Sequence, residues 1–192
     1  MTSAFFYGTL MAPTILSWVI DNDGSHLQVA PAVLLEHTRH QVKNVDYPAV
    51  VAYEQSRSLF DRELTQDERS VRGTLVNGLT PQDVTSLDLF EGDEYKSEKV
   101  QVHILAPPSP MSLASTTHLL SHSTPMPDPL PEPVPCFVYI WIYPLSRLEP
   151  ILWSYDEFVK EKIHRWLHSE PVGDGDEDGG QEPTPSINSR ID

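Results

Sequence analysis

Apolar and polar positions along the chain change their spacing several times, which predicts an alternation of strands and helices. The first apolar run, Ala4–Tyr7, is rich in aromatic residues and stops at Gly8, as a short strand does. Beyond Pro13, apolar residues return at helical spacing, at Ile15, Leu16, Val19 and Ile20. The chain is therefore predicted to begin with a strand, a tight loop and a helix.

Later segments carry the alternation and the branched residues of strands. The intervals Leu27–His37 and Thr38–Val45 predict short strands, followed by a loop at the proline of Tyr47-Pro48. Val71–Leu79 predicts a further strand. Glu98–Leu105 and Cys136–Tyr143 are predicted to form an antiparallel pair.

A helix is predicted to begin after Thr80, which is a suitable N-cap. Pro81 suits the first turn, and Asp83 stands where its side chain bonds back to the cap. Gly92 supplies the positive φ with which many helices end, so Glu91 falls at the C-terminal edge of this helix. A last helix is predicted over Trp153–Leu167.

Two segments have compositions that do not favour a packed core. The interval 106–135 holds nine of the eighteen prolines, and the interval 169–192 has seven acidic residues and one arginine. We therefore expect one domain over residues 1–168, interrupted by a proline-rich disordered insertion at 106–135, and an acidic disordered tail at 169–192.

Charge and composition narrow the class of protein. A net charge of −15 with thirteen Lys and Arg residues disfavours nucleic-acid binding. No apolar run is long enough for a membrane span, and no secretory signal is recognisable at the N-terminus, so we expect a soluble cytoplasmic protein. The single cysteine, Cys136, lies in an apolar run and is interpreted as a small buried side chain.

The loop Tyr7-Gly8-Thr9-Leu10 is the first candidate for chemistry. Gly8 permits a turn in which several backbone N–H groups face one concavity, and such a nest binds anions. A substrate carboxylate would be held there without an arginine, with the Thr9 hydroxyl as a further donor. An ordinary strand-to-helix turn is the other interpretation of these four residues.

Glu91 is the candidate acid/base. The negative end of the helix dipole and partial burial both raise the pKa of a carboxyl group, which makes it a better base near neutral pH. A solvated charge at a helix end is the alternative, and Asp88, Asp93 and Glu94 are nearby competitors. His37 and His40 would suit a metal only on a helix, whereas their neighbours predict a strand, so no metal site is expected.

Two motifs in this order resemble the γ-glutamylcyclotransferase-like family, in particular its AIG2-like branch. They are Phe6-Tyr7-Gly8-Thr9-Leu10 and Leu87-Asp88-Leu89-Phe90-Glu91-Gly92-Asp93-Glu94-Tyr95. The resemblance extends to Asp46–Val50, Val71–Leu75 and the terminal helix, and so covers roughly residues 4–105 and 136–167. It implies an α+β fold, a small mixed β-barrel flanked by helices.

The resemblance also implies an activity and a site. Tyr7, Gly8, Thr9, Leu10, Met11 and Ala12 would form the loop that holds the substrate's α-carboxylate, and Glu91 would be the catalytic base. Glu91 would move a proton so that the α-amine of a γ-glutamyl group attacks its own γ-carbonyl, releasing 5-oxoproline and an amine. This acyl transfer needs no metal and no organic cofactor. Tyr47, Tyr95 and Tyr143 are aromatic candidates for the pocket wall, and a structural role in packing is the other interpretation of each.

Two other functions stay open at this point. A non-catalytic module of the same fold would bind a metabolite, or a protein partner through the proline-rich insertion. An amide hydrolase would use Glu91 to activate water and would release glutamate. The sequence does not identify the leaving amine.

Overall fold

The computed structural model describes residues 2–112 and 126–163. Its strands are β1 (Thr2–Phe6), β2 (Gln28–Leu35), β3 (His37–Val42), β4 (Pro48–Ala52), β5 (Ser70–Leu79), β6 (Tyr95–Ile104), β7 (Ser109–Pro110), β8 (Pro133–Trp141) and β9 (Leu148–Leu152). Its helices are α1 (Pro13–Ile20), α2 (Tyr53–Ser56), α3 (Pro81–Glu91) and α4 (Tyr155–Glu161). The mixture of strands and helices confirms the predicted α+β class.

Five strands close into a barrel. Their order is β5-β1-β8-β6-β2, and β2 pairs again with β5 to complete the circle. Strands β1 and β8 run parallel, while the other pairs of the barrel are antiparallel. The small mixed barrel flanked by helices is therefore as predicted, including the antiparallel pairing of β6 with β8.

A second sheet lies beside the barrel, in the order β4-β3-β9. It orients two segments that the site uses. The loop that ends in Tyr47 leads directly into β4, and Arg39 lies on β3. Arg39 donates to the Tyr7 carbonyl, and Pro48, which follows Tyr47, lies against Gly8, so both segments contact the chain that follows β1.

Period-two alternation sends successive apolar side chains of β1 and β8 into two different cores. Phe5 packs inside the barrel with Val138 and Ile140, whereas Phe6 packs outside it with the helices. Tyr139, between Val138 and Ile140 on β8, belongs to the outer core. Successive residues of β1 and β8 therefore face the barrel interior and the layer between barrel and helices in turn. A third cluster, which includes Val42, Val51 and Trp141, packs at the second sheet.

Helix α3 begins as the sequence predicts. The Thr80 hydroxyl accepts the Asp83 amide at 3.2 Å, and the Asp83 carboxylate accepts the Thr80 amide at 2.8 Å. Gly92 follows the helix with a φ of 64°. Both ends of α3 are consequently fixed by local chemistry, which sets the position of Glu91 in its last turn.

The interval 106–135 contributes to the fold at both ends, contrary to the expectation that its composition forms neither ladder nor core. Strand β7 pairs with β2, Met111 is buried, and β8 already begins at Pro133. Prolines are tolerated there because they lie in an edge strand and at the start of a strand. Residues 113–125 and the tail 169–192 lie outside the described residues.

The terminal helix is present and Cys136 is buried, as the sequence predicts. Ser154 caps α4, which ends at Glu161. Residues 164–167 of the predicted helix lie outside the described residues. Cys136 is buried as predicted, and burial raises the pKa of its thiol to about 12. Within residues 2–112 and 126–163, no helix is long and apolar enough to cross a membrane.

Candidate active site

The candidate substrate loop follows β1 and passes directly into α1. Tyr7 is buried, Thr9–Met11 form a buried 3-10 turn, and Ala12 is the residue before α1. The Met11 amide donates to the Gly8 carbonyl at 3.0 Å, and the Ala12 amide donates to the Thr9 carbonyl at 3.1 Å. The turn therefore uses the amides of its last two residues to hold its own shape.

Three amides of this buried loop are left over. Across the described parts of the chain, the N–H groups of Gly8, Thr9 and Leu10 donate to no other group, and the Thr9 hydroxyl is also without a partner there. Buried backbone donors are almost always paired, because an unpaired one loses its hydrogen bond to water. A ligand anion with several acceptor oxygens would satisfy these donors.

The loop is held in place by two neighbours. Arg39, which is buried, donates from Nη1 to the Tyr7 carbonyl at 2.6 Å and to the Arg72 carbonyl at 3.2 Å. On the other side, a Cβ built on Gly8 would lie 2.7 Å from Cγ of Pro48. Only glycine permits this close approach of Pro48, so the family-like Tyr-Gly pair has a steric reason here.

Glu91 stands in the last turn of α3 and is half-buried. Its surroundings remove water from the carboxyl group, and Asp88 adds a like charge from the same helix. Burial first and Asp88 second raise the pKa of Glu91 to about 8. In the described chain, no side chain forms a hydrogen bond or an ion pair with the Glu91 carboxylate.

Four tyrosines from four different segments surround Glu91. Burial raises the pKa of each tyrosine, and the Glu91 charge raises it further. They are Tyr7 after β1, Tyr47 before β4, Tyr95 at the start of β6 and Tyr139 on β8. Glu91 and these four tyrosines therefore influence one another electrostatically within one region of the fold.

Every one of these tyrosine hydroxyls donates to an acceptor other than Glu91. The bonds run from Tyr7 to the Tyr139 carbonyl at 2.5 Å, from Tyr47 to Glu94 at 2.8 Å, from Tyr95 to the Pro48 carbonyl at 2.9 Å and from Tyr139 to Asp88 at 2.7 Å. Because the nearby donors are committed elsewhere, Glu91 retains its acceptor capacity for a bound molecule.

The site joins the two sequence motifs through Tyr7. Its ring lies within electrostatic range of Glu91, and its backbone begins the loop whose amides are unpaired. A loop with three unpaired amides and a carboxylate with a raised pKa are thus connected through Tyr7. Together they suit a small molecule that carries both a carboxylate and an ammonium group.

The tyrosines near Glu91 follow only in part from the sequence. Tyr47 and Tyr95 surround Glu91, whereas Tyr143 packs on Trp141 and Arg147 at the surface. Tyr139 lies in the apolar run that predicts a strand, and its alternation with Val138 and Ile140 places it on the outer face. Arg39 offered no signal, because a lone arginine in a strand does not reveal which carbonyls it will meet.

Two further features have no part in this site. A cleft of about 110 Å³ is lined by Arg39, Asp67, Glu68, Ser70, Val71, Leu152 and Trp153, and so includes neither Glu91 nor its tyrosines. His37 and His40 lie on β3, and no group of three His, Cys, Asp or Glu side chains in the described residues is arranged to hold a metal ion.

The chain is similar in sequence to a known protein family and to two proteins of Arabidopsis thaliana. Residues 4–153 match the family described as "Gamma-glutamyl cyclotransferase, AIG2-like". "Protein AIG2 C" of Arabidopsis thaliana is 24% identical over 100 residues, which are 52% of this chain and 51% of that protein. "AIG2-like protein D" of the same organism is 29% identical over 119 residues, 62% of this chain and 67% of that protein. The chain therefore spans about half the length of the first of these relatives.

A solved structure supports the fold. The solution structure of an Arabidopsis thaliana protein is similar to the present one with a TM-score of 0.51, at 18% identity, over 88% of this chain and 78% of that one. At this level of identity, the likeness concerns the fold alone.

Proposed function

Because the chain belongs to the gamma-glutamyl cyclotransferase, AIG2-like family, we propose that it converts a γ-glutamyl amine or γ-glutamyl amino acid to 5-oxoproline and the free amine. The observation that carries the proposal is the environment of Glu91. It is a carboxylate with a pKa of about 8, without a partner among the described side chains, beside Tyr7 at the start of a loop with three unpaired amides.

In the proposed complex, the loop Tyr7–Ala12 binds the α-carboxylate of the γ-glutamyl group. The amides of Gly8, Thr9 and Leu10 supply the hydrogen bonds, and the Thr9 hydroxyl adds another. The substrate's own carboxylate then satisfies donors that the fold leaves unpaired. This placement presents the adjacent α-ammonium to Glu91.

The reaction is an intramolecular aminolysis. Glu91 takes one proton from the α-ammonium, and the freed amine attacks the γ-carbonyl to form the new C–N bond of the ring. The tetrahedral intermediate collapses with cleavage of the original γ-amide bond as Glu91 gives its proton to the departing nitrogen. Glu91 then takes the second proton of the ring nitrogen and passes it to the released amine, which leaves as an ammonium ion. Both the nucleophile and the leaving group belong to the substrate, so the protein supplies position and one proton carrier.

A substrate panel tests the activity directly. Purified protein is incubated with γ-glutamyl amino acids, γ-glutamyl-ε-lysine and glutathione, and 5-oxoproline is measured. We expect 5-oxoproline from at least one of them, with kcat/KM rising as the pH passes through about 8, because the ionised form of Glu91 is the base. Free glutamate as the product would indicate a hydrolase instead, and no product from any substrate would refute the proposal.

Glu91→Gln tests the residue. The amide keeps the shape of the side chain but does not accept and return a proton, so we expect turnover to fall by at least about 100-fold. Asp93→Asn is the matched control, since Asp93 is an exposed acidic residue two positions further on. Full turnover in Glu91→Gln would remove Glu91 from the mechanism even if the activity were present.

A further inference from the structure

Asp88 and Glu91 lie one helical turn apart on α3, so their side chains are neighbours on the same face. Asp88 is exposed, yet its Oδ1 accepts the Tyr139 hydroxyl at 2.7 Å. The backbone carbonyl of Tyr139 in turn accepts the Tyr7 hydroxyl at 2.5 Å. A chain of two hydrogen bonds thus connects α3 to the start of the substrate loop by way of β8.

These two hydrogen bonds hold the Tyr139 hydroxyl in place. Otherwise this hydroxyl would compete with the substrate for Glu91. The Tyr139 hydroxyl has one proton, which it gives to Asp88. The Tyr139 hydroxyl lies 2.7 Å from Asp88, whose side chain is the neighbour of Glu91 on α3. Without Asp88, Glu91 would therefore be the adjacent carboxylate toward which this hydroxyl could turn. A hydrogen bond to an ionised carboxylate stabilises the ionised form and reduces its readiness to take a proton.

The groups that face Glu91 come from each neighbouring element. They are Asp88 on α3, Tyr7 after β1, Tyr47 before β4, Tyr95 on β6 and Tyr139 on β8, with Glu94 and Arg147 paired beyond Tyr47. Asp88 is the acidic group among them that acts on Glu91 itself. The tyrosines are neutral at physiological pH because burial raises their pKa values.

We propose that Asp88 is a positioning residue for the cyclotransferase reaction. Asp88 holds the Tyr139 hydroxyl away from Glu91 and places a negative charge beside Glu91. Glu91 therefore stays free to accept the substrate's proton. This inference rests on the proposed function for its catalytic meaning. Its physical content concerns the titration of Glu91 and is measurable without turnover.

The direct experiment follows the side-chain carboxyl carbon of Glu91 by NMR in protein labelled at glutamate, with Glu91→Gln to assign the resonance. Wild-type Glu91 is expected to titrate near pH 8. In Asp88→Asn, which keeps an acceptor for Tyr139 but loses the charge, we expect the midpoint to fall by about one pH unit, which is about a tenfold rise in the ionised fraction below the midpoint.

Two further variants separate the charge of Asp88 from its hold on Tyr139. Asp88→Ala releases the tyrosine hydroxyl, so the midpoint should fall further than in Asp88→Asn. The double variant Asp88→Ala/Tyr139→Phe lacks the competing donor and should return to the midpoint of Asp88→Asn. Asp93→Asn serves as the control for a general change of charge and should titrate as the wild type does.

The inference is overturned if Glu91 titrates at the wild-type midpoint in Asp88→Asn. Equal midpoints in Asp88→Ala and Asp88→Asn would overturn the part assigned to Tyr139. In the kinetic arm, the pH at which kcat/KM rises should move with the NMR midpoint in each variant. If the wild type turned over no γ-glutamyl substrate, the proposed function would fail, while the NMR titration would still decide the role of Asp88.

Discussion

The environment of Glu91 lowers the stability of the folded protein when Glu91 is ionised. Its carboxyl group is desolvated, has Asp88 beside it and lacks a cationic partner within the described chain. Residues that serve a reaction are often held in this way, since the same group would be more stable when solvated or paired. The surrounding tyrosines and the two capped ends of α3 hold it there.

This cost predicts that Glu91→Gln is more stable than the wild type at alkaline pH. The pKa of Glu91 is about 8 in the folded chain and 4.5 in a solvated side chain. The folded state therefore retains a proton that the unfolded state loses, and stability falls as the pH rises from 4.5 to 8. Because Glu91 is half-buried, we expect a difference of about 1–3 kcal/mol at pH 8 and almost none at pH 4.5.

Urea unfolding of both proteins across this pH range measures the difference. Asp93→Asn is again the control and should show no growing gap with pH. A constant difference between Glu91→Gln and the wild type would mean that Glu91 titrates normally in the folded protein.

At the scale of elements, α3 carries the candidate base in its last turn and a hydrogen-bonded anchor, the Asp83 carboxylate, in its first turn. The buried Asp83 carboxylate accepts the Thr80 amide at 2.8 Å, Nδ2 of Asn22 at 2.9 Å and Nε2 of His26 at 2.9 Å. Asn22 and His26 belong to the connection between α1 and β2. The anchor thus fixes α3 against the segment that follows the substrate loop and its helix.

We predict that Asp83→Asn destabilises the fold by about 1–2 kcal/mol at pH 7, because an amide replaces an acceptor that serves three donors. Burial opposes the ionisation of Asp83, but the hydrogen bonds outweigh it and hold the pKa below the ordinary value of 3.8. Its contribution is complete above about pH 4 and is lost as the pH falls through the lower pKa of the folded state.

Unfolding by urea between pH 2.5 and pH 7 measures both parts of this prediction. The gap between Asp83→Asn and the wild type should narrow at the acid end, where the wild-type carboxyl group also becomes protonated. An unchanged gap at the lowest pH would show that the charge of Asp83 contributes nothing.

At the scale of the whole molecule, the site depends on closure of the barrel. Strand β5 pairs with β1 on one side and with β2 on the other. Its Gly73 pairs with Ala32 of β2 and lies one residue beyond the last pair with β1, Phe6–Thr74. A Cβ on Gly73 would stand 2.3 Å from the Phe6 carbonyl oxygen and 2.6 Å from the Phe5 ring. Tyr7 and the substrate loop begin immediately after these two phenylalanines.

We therefore predict that Gly73→Ala destabilises the protein by about 1–3 kcal/mol, and Gly73→Val by more, because the added atoms meet fixed backbone rather than a movable side chain. Chemical unfolding measures the series. A Gly73→Ala protein as stable as the wild type would contradict the close packing of β1 on β5. If the strands separate instead, 5-oxoproline formation should also fall, since β1 carries the loop.

The sequence by itself determined the local features of this protein. Thr80, Pro81 and Asp83 begin a helix through bonds to residues no more than three positions away, and Gly92 ends it through its own φ. The strands of the barrel follow from period-two alternation, which a side chain obeys wherever the strand lies. The ordered pair of motifs, at Tyr7–Leu10 and at Glu91, was sufficient to predict the family and its fold.

Tertiary structure alone decided what surrounds the candidate base. Tyr139 is 48 positions from Glu91 and Arg39 is 32 positions from Tyr7, so no local pattern connects them. Such contacts form because closing the barrel and burying side chains together lower the free energy of the folded state. The same effects place Ser109–Pro110 and Met111 within the fold, although composition alone predicted an insertion outside it. One edge strand and one buried apolar side chain are sufficient for this local order.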